Sequence, residues 1–116
     1  MTPEMIVDLI ENARVDLSTE ALAQRGLARV FADAGIEALA EVRLSPRDRI
    51  DFMIGRIGLE VKIGHSRRAI LRQLERYARS DEVDTLILVT SAAFPSLNPP
   101  IDGKDLHVAS LSRGWL

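Results

Sequence analysis

Two carboxylates and one lysine stand close together in residues 49–63, a stretch that reads as two short strands: Asp51, Glu60 and Lys62. Ile50, Phe52 and Ile54 alternate with Asp51 and Met53. Beyond Gly55 and Arg56, Ile57, Leu59, Val61 and Ile63 alternate with Gly58, Glu60 and Lys62. Alternation of this kind predicts half-buried strands, each turning an apolar face one way and its carboxylate the other. A two-residue loop with glycine first suits a type II′ turn, whose first position needs φ > 0. That turn pairs Ile54 with Ile57 and Phe52 with Leu59, and sets Asp51 directly opposite Glu60, with Cβ atoms roughly 4.5–5.5 Å apart. Lys62 follows on the same face. A four-residue loop over 55–58 would shift the register yet keep all three together. A three-residue loop would separate them and scramble the alternation.

Adjacent carboxylates repel unless something compensates. A lysine on the same face offsets part of the repulsion, and a divalent cation offsets more. Oxygen ligands alone point to a hard ion, Mg²⁺ or Mn²⁺. The sequence has no cysteine and only two, distant, histidines, which leaves a zinc site unsupported. It has no glycine-rich phosphate loop and no serine-nucleophile motif. His65 lies in a loop just past Lys62, and His107 has no evident partner.

Charge is unevenly distributed along the 116 residues, which carry a net −2. Residues 1–42 hold eight acids and three bases, and residues 80–116 five acids and two bases. Residues 43–79 hold nine arginines and one lysine against four acids. The basic third is the one that contains Asp51, Glu60 and Lys62, so a phosphate polyanion would be drawn there. Length allows one domain over residues 1–116. No apolar run approaches the ~20 residues that span a bilayer, and no signal-peptide pattern opens the sequence, so a cytoplasmic protein without membrane contact is expected.

The elements that must position these residues follow from the patterning. Pro3 opens a helix over about 3–13, with Met5, Ile6, Leu9 and Ile10 as its stripe, packed outside the domain or against a second copy in a homodimer. Ser18 is expected to cap a second helix ending near Gly35, with Leu27, Val30, Phe31 and Ala34 on its core side and Glu20 and Gln24 aligned with them. Residues 36–44 read as a strand with Ala40, Val42 and Leu44 on one face. The 49–63 hairpin follows. Ser66 can cap a helix through Arg79 that buries Ile70, Leu71, Leu74, Tyr77 and Ala78 and carries a second stripe, Arg68, Arg72, Arg76 and Arg79. Residues 84–90 form an apolar run suited to a strand buried on both faces and paired in parallel. A Pro-, Ser- and Asn-rich loop over 92–104 precedes a last strand over 106–111. No role follows for Trp115.

Asp51, then Glu60-Val61-Lys62 on the next strand, then Gln73-x-x-x-Tyr77 on the following helix, resembles the PD-(D/E)XK nuclease superfamily. Residue 50 is isoleucine where that motif has proline. The helix–three-strand–helix–strand order over about 18–90 is similar to the family's αβββαβ restriction-endonuclease-like core, an α/β fold with a mixed sheet flanked by helices. The compact size is similar to phage and bacterial virus-type replication-repair nucleases. Archaeal Holliday-junction resolvases share the core but are typically basic overall. The resemblance implies an endonuclease that hydrolyses phosphodiester bonds of DNA, with RNA as an alternative substrate. It implies Mg²⁺ or Mn²⁺ on Asp51, Glu60 and the backbone carbonyl of Val61. Lys62 would orient or deprotonate water or stabilise developing charge. Gln73 would sit near metal and substrate with Tyr77 behind it, Glu20 would add an acid from the first core helix, and the arginine stripe would hold the nucleic-acid backbone. The competing expectation is a non-catalytic nucleic-acid- or protein-binding module on the same fold.

Overall fold

Side-chain caps start all three helices of the computed structural model, which describes residues 1–91, 94 and 100–111. Thr2 accepts from Met5 N at the head of α1 (Pro3–Glu11), and Ser66 accepts from Ala69 N at the head of α3 (Arg67–Ala78). α2 (Glu20–Asp33) is capped by Thr19, which accepts from Leu22 N at 3.1 Å, and not by Ser18. Ser18 instead donates to Asp16 Oδ1 at 2.6 Å. The one-residue difference makes Glu20 the first residue of α2, aimed from its N-terminus. Gly35, at φ +73°, ends the chain's helical path after Ala34.

The strands β1 (Leu39–Arg43), β2 (Arg49–Ile54), β3 (Ile57–Lys62), β4 (Thr85–Thr90) and β5 (Asp105–Ser110) form one mixed sheet in chain order. β1, β2 and β3 are antiparallel neighbours, whereas β3, β4 and β5 run parallel. α3 makes the crossover that parallel pairing of β3 and β4 demands. β4 lies inside the sheet, between β3 and β5, and is buried from Leu86 to Thr90, as its uninterrupted apolar run predicts.

Helices cover both faces, and the result is a compact α/β domain. On one face α1 and α2 bury Ile6, Ile10, Leu27 and Phe31 against Phe52, Leu59, Val61 and Val89. Phe31 and Phe52 meet edge to face, with centroids 5.6 Å apart. On the other face α3 buries Ile70, Leu74 and Tyr77 against Ile50, Met53, Leu86 and Leu88. α1 is part of the core it shares with α2, lying on β5 with Ile6 and Ile10 fully buried, while Met5 and Ala34, expected in apolar stripes, are exposed. No helix among the described residues is long and apolar enough to cross a membrane. The role of Trp115 and most of the 92–104 loop lie outside the described residues.

Candidate active site

The Gly55-Arg56 turn, with Gly55 at φ +58°, sets the register the sequence predicts: Ile54 pairs with Ile57 and Phe52 with Leu59. Beyond that pair the regular alternation does not continue. Ile50 packs on the α3 face while Phe52 and Ile54 pack on the α2 face, so the phase of β2 slips by one residue at Asp51. β1 slips beside it. Ala40 pairs with Phe52 and Val42 with Ile50, but Ala40 borders the α2 side and Val42 the α3 side. Between them Glu41, opposite Asp51, stands at φ +53°. The expectations that Ile50 shares a face with Phe52, and Ala40 with Val42, are therefore corrected. Gly58 makes the slip sterically feasible, because a Cβ there would stand 2.6 Å from Ile50 Cδ1.

At the slip, side chains take over the ladder. Asp51 Oδ2 accepts from Val61 N at 2.8 Å, and Glu60 Oε1 accepts from Asp51 N at 3.2 Å. Each carboxylate is thus bound to the other's strand, at the end of the β2–β3 pairing. Lys62 Nζ lies 3.3 Å from Glu60 Oε2 and completes the group. Glu60 is almost wholly buried. Burial and then the charge of Asp51 push its carboxyl up to about 7, with Lys62 pulling the other way. Burial also raises Asp51, against hydrogen bonds from Val61 N–H and the Gln24 side chain. Both shifts have one meaning: two negative charges here are costly without a compensating cation.

Tyr77, fully buried, brings its hydroxyl to 3.1 Å from Glu60 Oε2 and 3.0 Å from the Arg49 carbonyl oxygen. Gln73 Nε2 donates to that hydroxyl at 2.7 Å. The order is thus Gln73, Tyr77, Glu60, with Tyr77 touching the carboxylate and Gln73 standing behind it. Burial and the nearby carboxylates raise the tyrosine's pKa, so it serves as a neutral hydrogen-bonding group. Glu20 reaches the end of β3, where Oε1 accepts from Ile63 N at 2.9 Å and pairs with His65 Nε2. Gln24 and His65 are the contacts that sequence reasoning missed. Gln24 was legible only as a residue one turn from Glu20, and nothing local connects His65 to a helix more than forty positions earlier. A cleft of about 260 Å³ between α2 and β1, bordered by Gln24, Arg25, Glu41 and Phe52, opens onto Asp51.

Arg68, Arg72, Arg76 and Arg79 share the exposed side of α3 and its C-cap, but not one set of contacts. By helical period Arg68 and Arg72 lie opposite the Ile70–Leu74–Tyr77 face, whereas Arg79, the exposed C-cap residue, borders a cleft with Arg76. Arg76 lies on the flank shared with Gln73, and its Nε contacts Asp48 Oδ1 at 2.9 Å.

The donor set suits a hard divalent cation. Among the described residues no group of three or more His, Cys, Asp or Glu side chains is placed to hold a metal. Mg²⁺, however, is commonly held by one or two carboxylates, its other positions filled by water and phosphate oxygens. Asp51 and Glu60 supply such a pair. No protein-family model, curated protein or solved structure matches this chain.

Proposed function

We propose that this chain is a Mg²⁺- or Mn²⁺-dependent nuclease of the PD-(D/E)XK kind, hydrolysing phosphodiester bonds of DNA. The observation that carries the reading is the exchange between strands, Asp51 onto Val61 N and Glu60 onto Asp51 N, with Lys62 at Glu60. Support at the level of the fold comes from the order α2, β1–β2–β3 meander, α3, then β4 parallel to β3. This order is similar to the succession expected of an αβββαβ restriction-endonuclease-like core.

Asp51 and Glu60 would hold the cation, with the Val61 carbonyl as the further ligand the family pattern suggests. When bound, the ion supplies Lewis-acid stabilisation of phosphoryl oxygen and a water of lowered pKa. Lys62 Nζ directs its positive charge and its protons at the water or phosphate oxygen beside Glu60, where charge develops. Tyr77, backed by Gln73, holds Glu60 in one rotamer, and Gln24 and Val61 N–H do the same for Asp51. Glu20 braces the end of β3 through Ile63 N.

A second reading, a non-catalytic binding module, draws on one observation. Among the described residues no buried side-chain polar atom lacks a hydrogen-bond partner, so the network is satisfied by protein groups alone. One assay separates the two. The purified chain should nick or degrade plasmid and oligonucleotide DNA in Mg²⁺ or Mn²⁺ and cease in EDTA. DNA binding without hydrolysis in any metal would favour the binding module.

A further inference from the structure

Three arginines gather where the β1–β2 turn meets the end of α3. Arg47 from the turn and Arg76 and Arg79 from the helix line a cleft of about 360 Å³, together with Ser45, Asp48 and Ser80. Asp48 is the only acid in that lining. It is already engaged, accepting from Arg76 Nε at 2.9 Å and from Ser45 Oγ at 3.2 Å. Ser45 Oγ in turn accepts from Arg47 N and Asp48 N, which ties the turn down. Arg76 is therefore a positioned guanidinium, while Arg47 and Arg79 are exposed and have no acidic partner among the described residues. Three cations against one anion leave the cleft with a local excess of two positive charges.

Arg76 and Arg79 also sit at the C-terminal end of α3, where a cation complements the helix dipole. That effect accounts for two of the three residues and leaves Arg47, delivered by a different element, unexplained. The cleft's place in the fold supplies the rest. Asp48 leads through Arg49 and Ile50 to Asp51 along β2. Three residues of strand span about 10 Å, which sets the scale of the separation between the Asp48 end of the cleft and Asp51. A B-form strand rises about 3.4 Å per nucleotide while turning about its axis, so successive phosphates stand about 7 Å apart and the separation is roughly one to two nucleotides.

We infer that Arg47, Arg76 and Arg79 form a phosphodiester-binding cleft that anchors the nucleic-acid backbone roughly one to two nucleotides from the cleavage site. The inference rests on the nuclease reading for its ligand, and it assigns the backbone contact to this cleft and not to the outward arginines Arg68 and Arg72. Guanidinium groups suit the task because their planar donor forks match phosphate oxygens in pairs. The contact positions the strand and reads no base.

The test compares two charge-matched double variants of the full chain, Arg47→Gln/Arg79→Gln and Arg68→Gln/Arg72→Gln, after circular dichroism shows both folded. Anisotropy of a fluorescein-labelled DNA duplex in EDTA, titrated at several salt concentrations, gives the slope of log affinity against log salt. The first variant is expected to flatten that slope by about two units, since each phosphate left without its arginine removes about 0.9. The second should leave it as in the wild type. Equal flattening in both, no change in the first, or no DNA binding by the wild type would each overturn the cleft. If the first variant unfolds, Arg47→Gln alone should still flatten the slope by about one unit, and an unchanged slope would count against the cleft. The two readings fail separately. Cleavage with an unaltered slope removes the cleft and keeps the nuclease, whereas a flattened slope without cleavage in any metal does the reverse.

Discussion

The β2–β3 hairpin has two ends that are held by different physics. At the turn, Gly55 takes the left-handed conformation that few other residues tolerate, and the ladder runs regularly for three pairs. What ties this end to the rest of the fold is exposed: Arg56 Nε lies 2.8 Å from Asp84 Oδ2, both more than half exposed, and Asp84 N donates to the Arg56 carbonyl at 2.8 Å. Exposed ion pairs of this sort are screened by solvent and contribute little to stability. At the other end the ladder stops, the strand slips a residue, and two carboxylates stand in for main-chain partners. That end is largely buried, charged and costly on its own. The contrast separates a part of the hairpin built for register from a part that gives up stability for the candidate site.

Removing a carboxylate should break the contrast most sharply. Asp51→Asn and Glu60→Gln keep shape but halve the charge offered to a cation, and Glu60→Gln also loses one of the two oxygens that accept from Asp51 N and Tyr77. Each is expected to lower metal-dependent cleavage by about 10²–10³-fold, while isothermal calorimetry shows weakened Mn²⁺ binding. Lys62→Ala should lose cleavage and retain the metal, since an ammonium is not a ligand. Unchanged Mn²⁺ affinity in both carboxylate variants would place the site elsewhere. Tyr77→Phe, which frees Glu60 from its neighbour, is expected to cost about 10–100-fold.

The charged end should also make stability depend on pH in an unusual direction. Glu60 sits near 7 in the fold against an ordinary 4.5. Between those values the folded chain binds more protons than the unfolded one. Its contribution is therefore fully present below about 4.5 and is lost as pH rises through about 7, by roughly 3 kcal/mol in all. Thermal melts in EDTA should show the wild type losing stability from pH 5 to pH 8 relative to Glu60→Gln, and Mn²⁺ should restore it at pH 8. Parallel pH profiles for the two proteins would show that Glu60 does not carry the strain.

Smaller effects sharpen the comparison. A methyl group at residue 58 would meet Ile50 Cδ1 at 2.6 Å and Leu86 Cδ2 at 3.3 Å. Gly58→Ala is expected to destabilise by about 1–3 kcal/mol, and because it displaces Ile50 it should also reduce cleavage through Asp51. At the turn, Gly55→Ala has open space around it and is strained only by its positive φ, about 1 kcal/mol. Urea melts should register that cost while cleavage per folded molecule stays at the wild-type level. A Gly55→Ala chain that folds but loses cleavage would mean that the two ends are coupled through the strands.

Much of this architecture is determined by short-range pattern. The two-residue turn, the buried parallel run of β4, the Ser66 cap and the apolar face of α3 depend on dihedral preference and on periods of two or 3.6, which are properties of neighbouring residues. The hairpin register alone brings Asp51 close to Glu60 and Lys62, but not the direction of each side chain: Asp51 meets Gln24 of α2, while Glu60 meets Tyr77 of α3. Three features were decided only in the folded chain. The slip at Asp51 requires Ile50 to settle over Gly58 and Glu41 to adopt φ +53° on the adjacent strand, and no local period contains that information. The inversion of Gln73 and Tyr77 depends on which side chain reaches Glu60 across the gap between α3 and β3. The engagement of Arg76, alone among the arginines of the stripe in the described residues, depends on Asp48 reaching it from a turn 28 residues away. A sequence states which faces are apolar, but the partner of a polar side chain is chosen by packing between elements, where a shift of one residue redirects every contact.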